Sequence, residues 1–387
     1  MSWSSETGPY GIAFFSPQLI SGGTQRHVLE VLKFLDRDRF RPFVVSVKSG
    51  GPLREAVRGC GVELFELDLG PSMVSRDVVR CVREAAALLR ERAVRVVQYF
   101  EWRSGLIALA AARLAGRPRI VAGRRSVRRE RGLQGLVAEF VVHAADHIVV
   151  NAESLRPGGR AGRRTQVIPS GVDTERFRVR EERAVAKARL GVPTDRPLIG
   201  TVGRLEARKG TATLIEAAAR LRQKRAADVT VALVGDGPLR GELVSLVERL
   251  GIAGHVLMLG DRSDVRDVLS ALDVFVLPSR TEGMSNALLE AMAMERAVVA
   301  TAVGGNVEVV AHEKSGLLVP SEDVEGTANA IARLIDHPEV AAGLGAAARQ
   351  RVEARYGSRT MVRQLETVYA SAAARLNIAS RVAEAHA

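Results

Sequence analysis

Two glutamates, Glu282 and Glu290, stand eight residues apart in PSRTEGMSNALLEAMAMERAVVA, the stretch from Pro278 to Ala300. Upstream, GTVGRLEARKG sets two cations, Arg204 and Lys209, five residues apart between glycines. A carboxylate can accept from two vicinal hydroxyls at once, as sugars and riboses present them. A guanidinium holds two phosphate oxygens with its fork, and an ammonium adds a point charge, so the cation pair suits a diphosphate better than a carboxylate. The alanine- and leucine-rich run predicts a helix beginning at about Ser285 or Asn286, whose free N–H groups and positive dipole end also favour phosphate. Capping explains neither glutamate well. The residue three after Ser285 is Leu288, and although Ser279 and Glu282 have the capping-box spacing, Gly283 intervenes before the helical pattern starts.

Two glycine pairs add weaker signals. Gly22 and Gly23 in SGGTQRHVLE precede a predicted helix, and a second pair stands in TAVGGNVEVV (301–310). Glycines there let a ligand approach the backbone, but a glycine pair alone is more often a turn. Neither stretch is a dinucleotide GxGxxG or a Walker lysine loop. A DRD triplet at 36–38 matches a metal-binding DxD, yet it falls at the end of a predicted helix, where a solvated surface pair is the commoner reading.

The elements that must carry these residues follow from the apolar pattern. Short β-branched runs alternate with alanine-rich helical stretches, which predicts βα units and parallel sheets. GIAFFS, RPFVVSV, GVELFEL, VRVVQYF, RIVAG and HIVV form a first series of strands. PLIGTVGRL, VTVALVGDG, HVLMLGD, DVFVLPS, AVVATAV and GLLVP form a second. Between them lies the charged, Pro- and Gly-bearing stretch 169–197, the natural boundary. The predicted fold is α/β, with two doubly wound Rossmann-like domains facing across a cleft. The first covers 1–180, with a final helix at about 358–376 packing back on it, and the second covers 181–357.

Composition narrows the partners. The 387 residues are 47% hydrophobic and 26% charged, a globular balance too long for one core. No apolar run reaches the roughly 20 residues that span a bilayer, and the start does not read as a signal peptide. With Cys60 and Cys81 in no metal spacing, a cytoplasmic protein without disulfides is expected. The net charge of +12 calls for an anionic partner. Aromatics at 4% are too few for stacking single-stranded nucleic acid, so no nucleic-acid partner is expected. Arginines cluster in GRRSVRRERG (123–132) and RPGGRAGRRT (156–165), which read as solvated loops or as a face for anionic membrane lipid or a phosphorylated acceptor.

Taken together, the motifs resemble the retaining nucleotide-sugar glycosyltransferases of glycosyltransferase family 4, which have the GT-B fold. The likeness runs through nearly the whole chain, from GGTQRHVLE through PSGVDTERF and GTVGRLEARKG to SRTEGMSNALLEAMA and SGLLVP. It implies an enzyme that moves a sugar from a nucleoside diphosphate-sugar, such as a UDP-sugar, to an envelope lipid-linked or polysaccharide acceptor. It implies no metal and no other cofactor. Arg204, Lys209 and Glu282 would be catalytic, the cations neutralising the leaving diphosphate and Glu282 binding the donor sugar. Gly22, Gly23, Gly283, Met284, Ser285, Asn286 and Glu290 would bind the donor, with Glu290 on the ribose.

One departure is chemical. Many relatives carry a histidine after the fourth strand, where this chain has Gln98 and Phe100 in VVQYFEW. Glu101 and His27 are the remaining acid/base candidates. Two readings besides the transferase stay open: an epimerase of nucleotide-sugars with the same fold, and a degenerate protein that binds a nucleotide-sugar without turning it over.

Overall fold

The computed structural model describes residues 9–20, 22–70, 76–125, 132–225 and 228–384. Contacts divide the chain into unit 1, Met1–Gly171 with Ser358–Ala387, and unit 2, Val172–Gly357. Each unit is built on one parallel sheet.

In unit 1 the strands are β1 (Tyr10–Ser16), β2 (Phe40–Ser46), β3 (Glu63–Glu66), β4 (Val94–Tyr99), β5 (Arg119–Arg124), β6 (His147–Val150) and β7 (Thr165–Val167). Their order in the sheet is β3-β2-β1-β4-β5-β6-β7. Unit 2 has β8 (Leu198–Val202), β9 (Thr230–Val234), β10 (Val256–Gly260), β11 (Val274–Leu277), β12 (Ala297–Thr301) and β13 (Leu317–Val319), in the order β10-β9-β8-β11-β12-β13. Apart from β3 and β7, at the edges of the unit 1 sheet, these strands are largely apolar on consecutive positions because helices cover both faces of each sheet. In each sheet the chain starts in the middle, walks to one edge, then returns and walks to the other. The turning points lie between β1 and β4 and between β8 and β11. There the crossovers leave on opposite faces and open a crevice at the strands' carboxyl ends, where such sheets bind ligands.

The helix Ser358–Glu384 completes unit 1 from far along the sequence. Met361, Leu365, Tyr369 and Ala372 are buried with Phe14, Phe40 and Val44 in one core cluster. The Tyr369 ring meets Phe14 and Phe40 edge-on, each at 6.2 Å between centroids. Its hydroxyl donates to Gln98 Oε1. Burial pushes the Tyr369 phenol far above its ordinary value, so it stays protonated and can donate.

The charge is unevenly shared. Unit 1 has 31 Lys and Arg against 18 Asp and Glu, whereas unit 2 has 25 against 26. Of the first arginine cluster, positions 126–131 lie outside the described residues. In the second, Arg156 donates to the Thr165 carbonyl at 3.1 Å and Arg164 to the Ala145 carbonyl at 2.6 Å, so both hold loops in place. Arg160 and Arg163 are exposed. The helix Gly132–His143 leaves Leu133, Leu136 and Phe140 at 76%, 71% and 57% exposure. Their spacing of three and four residues puts them on one face. Among the described residues no helix is long and apolar enough to cross a membrane.

Candidate active site

In unit 2 the residues singled out by type converge on the turning point of the sheet. β8 runs into the loop that carries Arg204 and Lys209, and β11 runs into the loop Pro278–Ser285. Lys209 Nζ lies 2.6 Å from Glu282 Oε1, a charge-assisted bond that ties the two loops together. Ser279 Oγ donates to the same carboxylate oxygen at 2.7 Å. Arg208 approaches Glu282 Oε2 at 3.7 Å while its other nitrogen pairs with Glu206 at 2.7 Å. Glu282 is buried, yet Oε2 has no hydrogen-bond donor among the described residues and can accept from a ligand.

Arg204 differs from its neighbours. Its guanidinium is exposed and makes no ion pair or side-chain hydrogen bond among the described residues. Lys209 reaches back along the loop: a Cβ at Gly203 would stand 3.6 Å from Lys209 Cε, so the ammonium stem lies across the residue before Arg204. One cation is thus held by a carboxylate and the other is open to solvent.

The backbone that holds these side chains depends on two glycines. Gly210 has φ +61, and a Cβ there would fall 2.0 Å from the Pro278 carbonyl oxygen. Gly304, with φ +49, would set a Cβ 1.8 Å from the Glu282 carbonyl oxygen. The Gly305 amide then donates to the Gly283 carbonyl at 2.6 Å. Thr301 Oγ1 donates to the Ser279 carbonyl at 2.5 Å, and Asn306 Nδ2 to the Thr301 carbonyl at 3.0 Å. The second glycine pair therefore serves as the floor under the glutamate loop, a role its sequence did not reveal.

The predicted helix start is close to the observed one. The helix runs Asn286–Ala293, and Ser285 caps it by accepting from the Leu288 amide at 3.4 Å. Gly283, Met284, Ser285 and Glu290 are buried around that end, with Asn286 partly exposed. Met284, Asn286 and Glu290 each have an interaction partner. Arg208 was not singled out by type, and no spacing rule marks it, since its place beside Glu282 comes from the pairing of two loops.

In unit 1 the glycine pair also precedes a helix, Gly23–Phe34, with Gly22 at its N-cap in extended conformation. His27 is 5% exposed, and its ring meets Phe100 edge-on at 5.5 Å. Burial, helped by the charge of Arg125, holds its pKa well below the ordinary 6.5, so the imidazole is neutral at pH 7. Gln98 is fully buried and taken by Tyr369, which makes it part of the core. Glu101 is exposed at the N-cap of the helix Trp102–Leu114 but does not cap it with its side chain. The DRD triplet lies in the turn after the first helix, where Asp36 Oδ1 accepts from the Asp38 amide at 3.0 Å and Arg37 donates to the Leu32 carbonyl at 2.6 Å.

The order of the two sheets, each with its crevice at the carboxyl ends, defines the GT-B fold. The same fold is seen in the structure of Anabaena Alr3699/HepE in complex with UDP-glucose, with a TM-score of 0.81, 22% identity, and coverage of 93% of this chain and 99% of that one. The Glycosyltransferase Family 4 pattern matches residues 21–176, and the Glycosyl transferases group 1 pattern matches 196–337. A D-inositol 3-phosphate glycosyltransferase of Saccharomonospora viridis is 36% identical over 61% of this chain. The lipopolysaccharide core biosynthesis mannosyltransferase LpsB of Rhizobium meliloti is 30% identical over 60% of it. The chain spans 58% of the length of the first relative and 68% of the second. The chain belongs to glycosyltransferase family 4.

Proposed function

We propose that the protein is a retaining glycosyltransferase that moves a sugar from a nucleoside diphosphate-sugar to an acceptor of the cell envelope, without a metal. The carrying observation is the Lys209–Glu282 couple at the turning point of the unit 2 sheet, beside an Arg204 guanidinium with no partner among the described residues. Arg204 and Lys209 bind the diphosphate and stabilise the charge that grows on it as it leaves. Glu282 accepts from the donor sugar's hydroxyls through Oε2, and Glu290 binds the ribose on the other side of the helix start. The bond from the anomeric carbon to the diphosphate oxygen breaks. The acceptor oxygen bonds to that carbon on the same face, and its proton passes to the departing diphosphate. His27 suits this route: burial and the charge of Arg125 lower its pKa, so its imidazole is a weak base and competes poorly for the proton.

The name of one relative, which acts in lipopolysaccharide core synthesis, supports the envelope acceptor. The positive surplus of unit 1 and the exposed Leu133, Leu136 and Phe140 support an anionic lipid surface as the place of work.

The test is calorimetric melting of the full chain with nucleoside diphosphates and their sugars, in EDTA. Ligand at a hundred times its dissociation constant should add about 2.7 kcal/mol to unit 2. Arg204→Ala should melt within about 0.5 kcal/mol of the parent without ligand, because its side chain is exposed and unpaired, yet lose most of the response. No response to any nucleotide would end the transferase reading and favour the binding protein that has lost its chemistry.

A further inference from the structure

Arg125 directly follows β5, Asn151 directly follows β6, and Ser170 stands just beyond β7. Three neighbouring strands thus deliver them to the carboxyl edge of the unit 1 sheet. An Arg125 guanidinium nitrogen donates to Ser170 Oγ at 2.9 Å, and Asn151 Nδ2 donates to the same oxygen at 3.2 Å. Ser170 and Asn151 are almost wholly buried, at 1% and 2% exposure.

Two features of this cluster have no structural explanation among the described residues. Arg125 has no carboxylate partner among the described residues, although desolvation pulls its pKa down to about 9. A desolvated charge without a counter-ion is costly, and folds seldom keep one for packing alone. Asn151 Oδ1 is buried and has no hydrogen-bond partner among the described residues. Arg125 is partly exposed, so its remaining N–H donors can be reached from solvent. The open requirements are therefore an anion for the guanidinium and a hydroxyl donor for the asparagine oxygen.

We propose that Arg125, Asn151 and Ser170 form a binding site for a phosphate ester that carries a hydroxyl next to the phosphate, the anionic end of the acceptor. Arg125 takes two phosphate oxygens, and Asn151 Oδ1 accepts from the adjacent hydroxyl. Ser170 Oγ orients both side chains. The assignment to the acceptor rests on the transferase reading, but the site itself does not.

Glycerol 3-phosphate supplies the chemistry without a base, and its binding to the full chain can be followed by titration calorimetry. The expected result is saturable binding that weakens at least about tenfold in Arg125→Met. In Arg125→Lys, which keeps the charge but loses the fork and guards against a folding failure in the first variant, it should also weaken about tenfold. UDP binding should be the same in all three proteins. Equal glycerol 3-phosphate affinity in parent and Arg125→Met, or no binding by the parent, overturns the site. If UDP displaces glycerol 3-phosphate and itself loses affinity in Arg125→Met, the anion belongs to the donor and the acceptor assignment fails. Glycerol 3-phosphate bound without any nucleotide binding would instead sink the transferase reading and leave this site standing.

Discussion

Removing either partner of the Lys209–Glu282 couple should cost nearly as much as removing both. The side chains are 16% and 5% exposed and 2.6 Å apart, so the pair is mostly out of water and the loss is not that of a surface bridge. Glu282→Gln keeps the shape and the bond from Ser279 but leaves the ammonium without its counter-ion. Lys209→Met leaves the carboxylate with only the Ser279 bond close by. Each change removes one charge-assisted hydrogen bond, about 1.5–3 kcal/mol. For a unit of this size, about 1 kcal/mol moves the melting temperature by roughly 2–4 °C. Each single variant should therefore melt about 3–12 °C lower in the unit 2 transition. The double variant should fall little further, with a coupling of about 1.5–3 kcal/mol. Calorimetry suits the question because two units need not melt as one transition. Losses that add to within about 0.5 kcal/mol would show that the two side chains act independently, and the link between the loops would have to be abandoned. Turnover by Glu282→Gln should also fall about ten- to a hundredfold, since the same carboxylate is assigned to the donor sugar.

Gly304→Ala should destabilise unit 2 and lower turnover together, because φ +49 and a Cβ 1.8 Å from the Glu282 carbonyl leave no room unless the glutamate loop moves. A normal melting temperature with normal turnover would count against that floor. For His27, the folded pKa lies below the ordinary 6.5, so the unfolded chain takes the extra proton first as pH falls. Stability is thus intact above pH 6.5 and lost below it, at up to about 1.4 kcal/mol per pH unit. Melting of unit 1 between pH 7 and 5 should show this slope, and His27→Gln should flatten it. Vesicles of anionic lipid should retain the protein at low salt and release it as salt rises. Phe140→Ser should weaken that retention, whereas equal binding to neutral vesicles would exclude an electrostatic contact.

Among the described residues, twelve of the thirteen strands were legible from short, largely apolar runs, because strands covered on both faces are mostly apolar. The exception is β7, whose Thr165, Gln166 and Val167 sit at the edge of an arginine-rich stretch that reads as a loop. The start of the helix at Asn286 was legible from Gly283 and Ser285, and Lys209 and Glu282 were singled out by type before their pairing was seen. What the sequence did not reveal is what touches what. Glu282 and Lys209 are 73 residues apart, and only the order of β8 and β11 makes them neighbours. The same limit hid Arg208, the floor beneath Glu282 and the Arg125 cluster, whose members come from three different strands. Gln98 shows the converse: it stands where many relatives carry a histidine, yet its partner is a tyrosine 271 residues away.

That long reach has a consequence for synthesis. The strands of unit 1 leave the ribosome before unit 2, but the side chain that fills the space between Phe14 and Phe40 arrives with Tyr369, after all of unit 2 has emerged. Unit 2, continuous from Val172 to Gly357, has every strand of its sheet in hand before then. The second-made half can therefore close its core first, while the first-made half waits with Phe14 and Phe40 uncovered. The nascent chain is most exposed to aggregation and to chaperones during that interval. A stop codon anywhere before Tyr369 would extend it indefinitely.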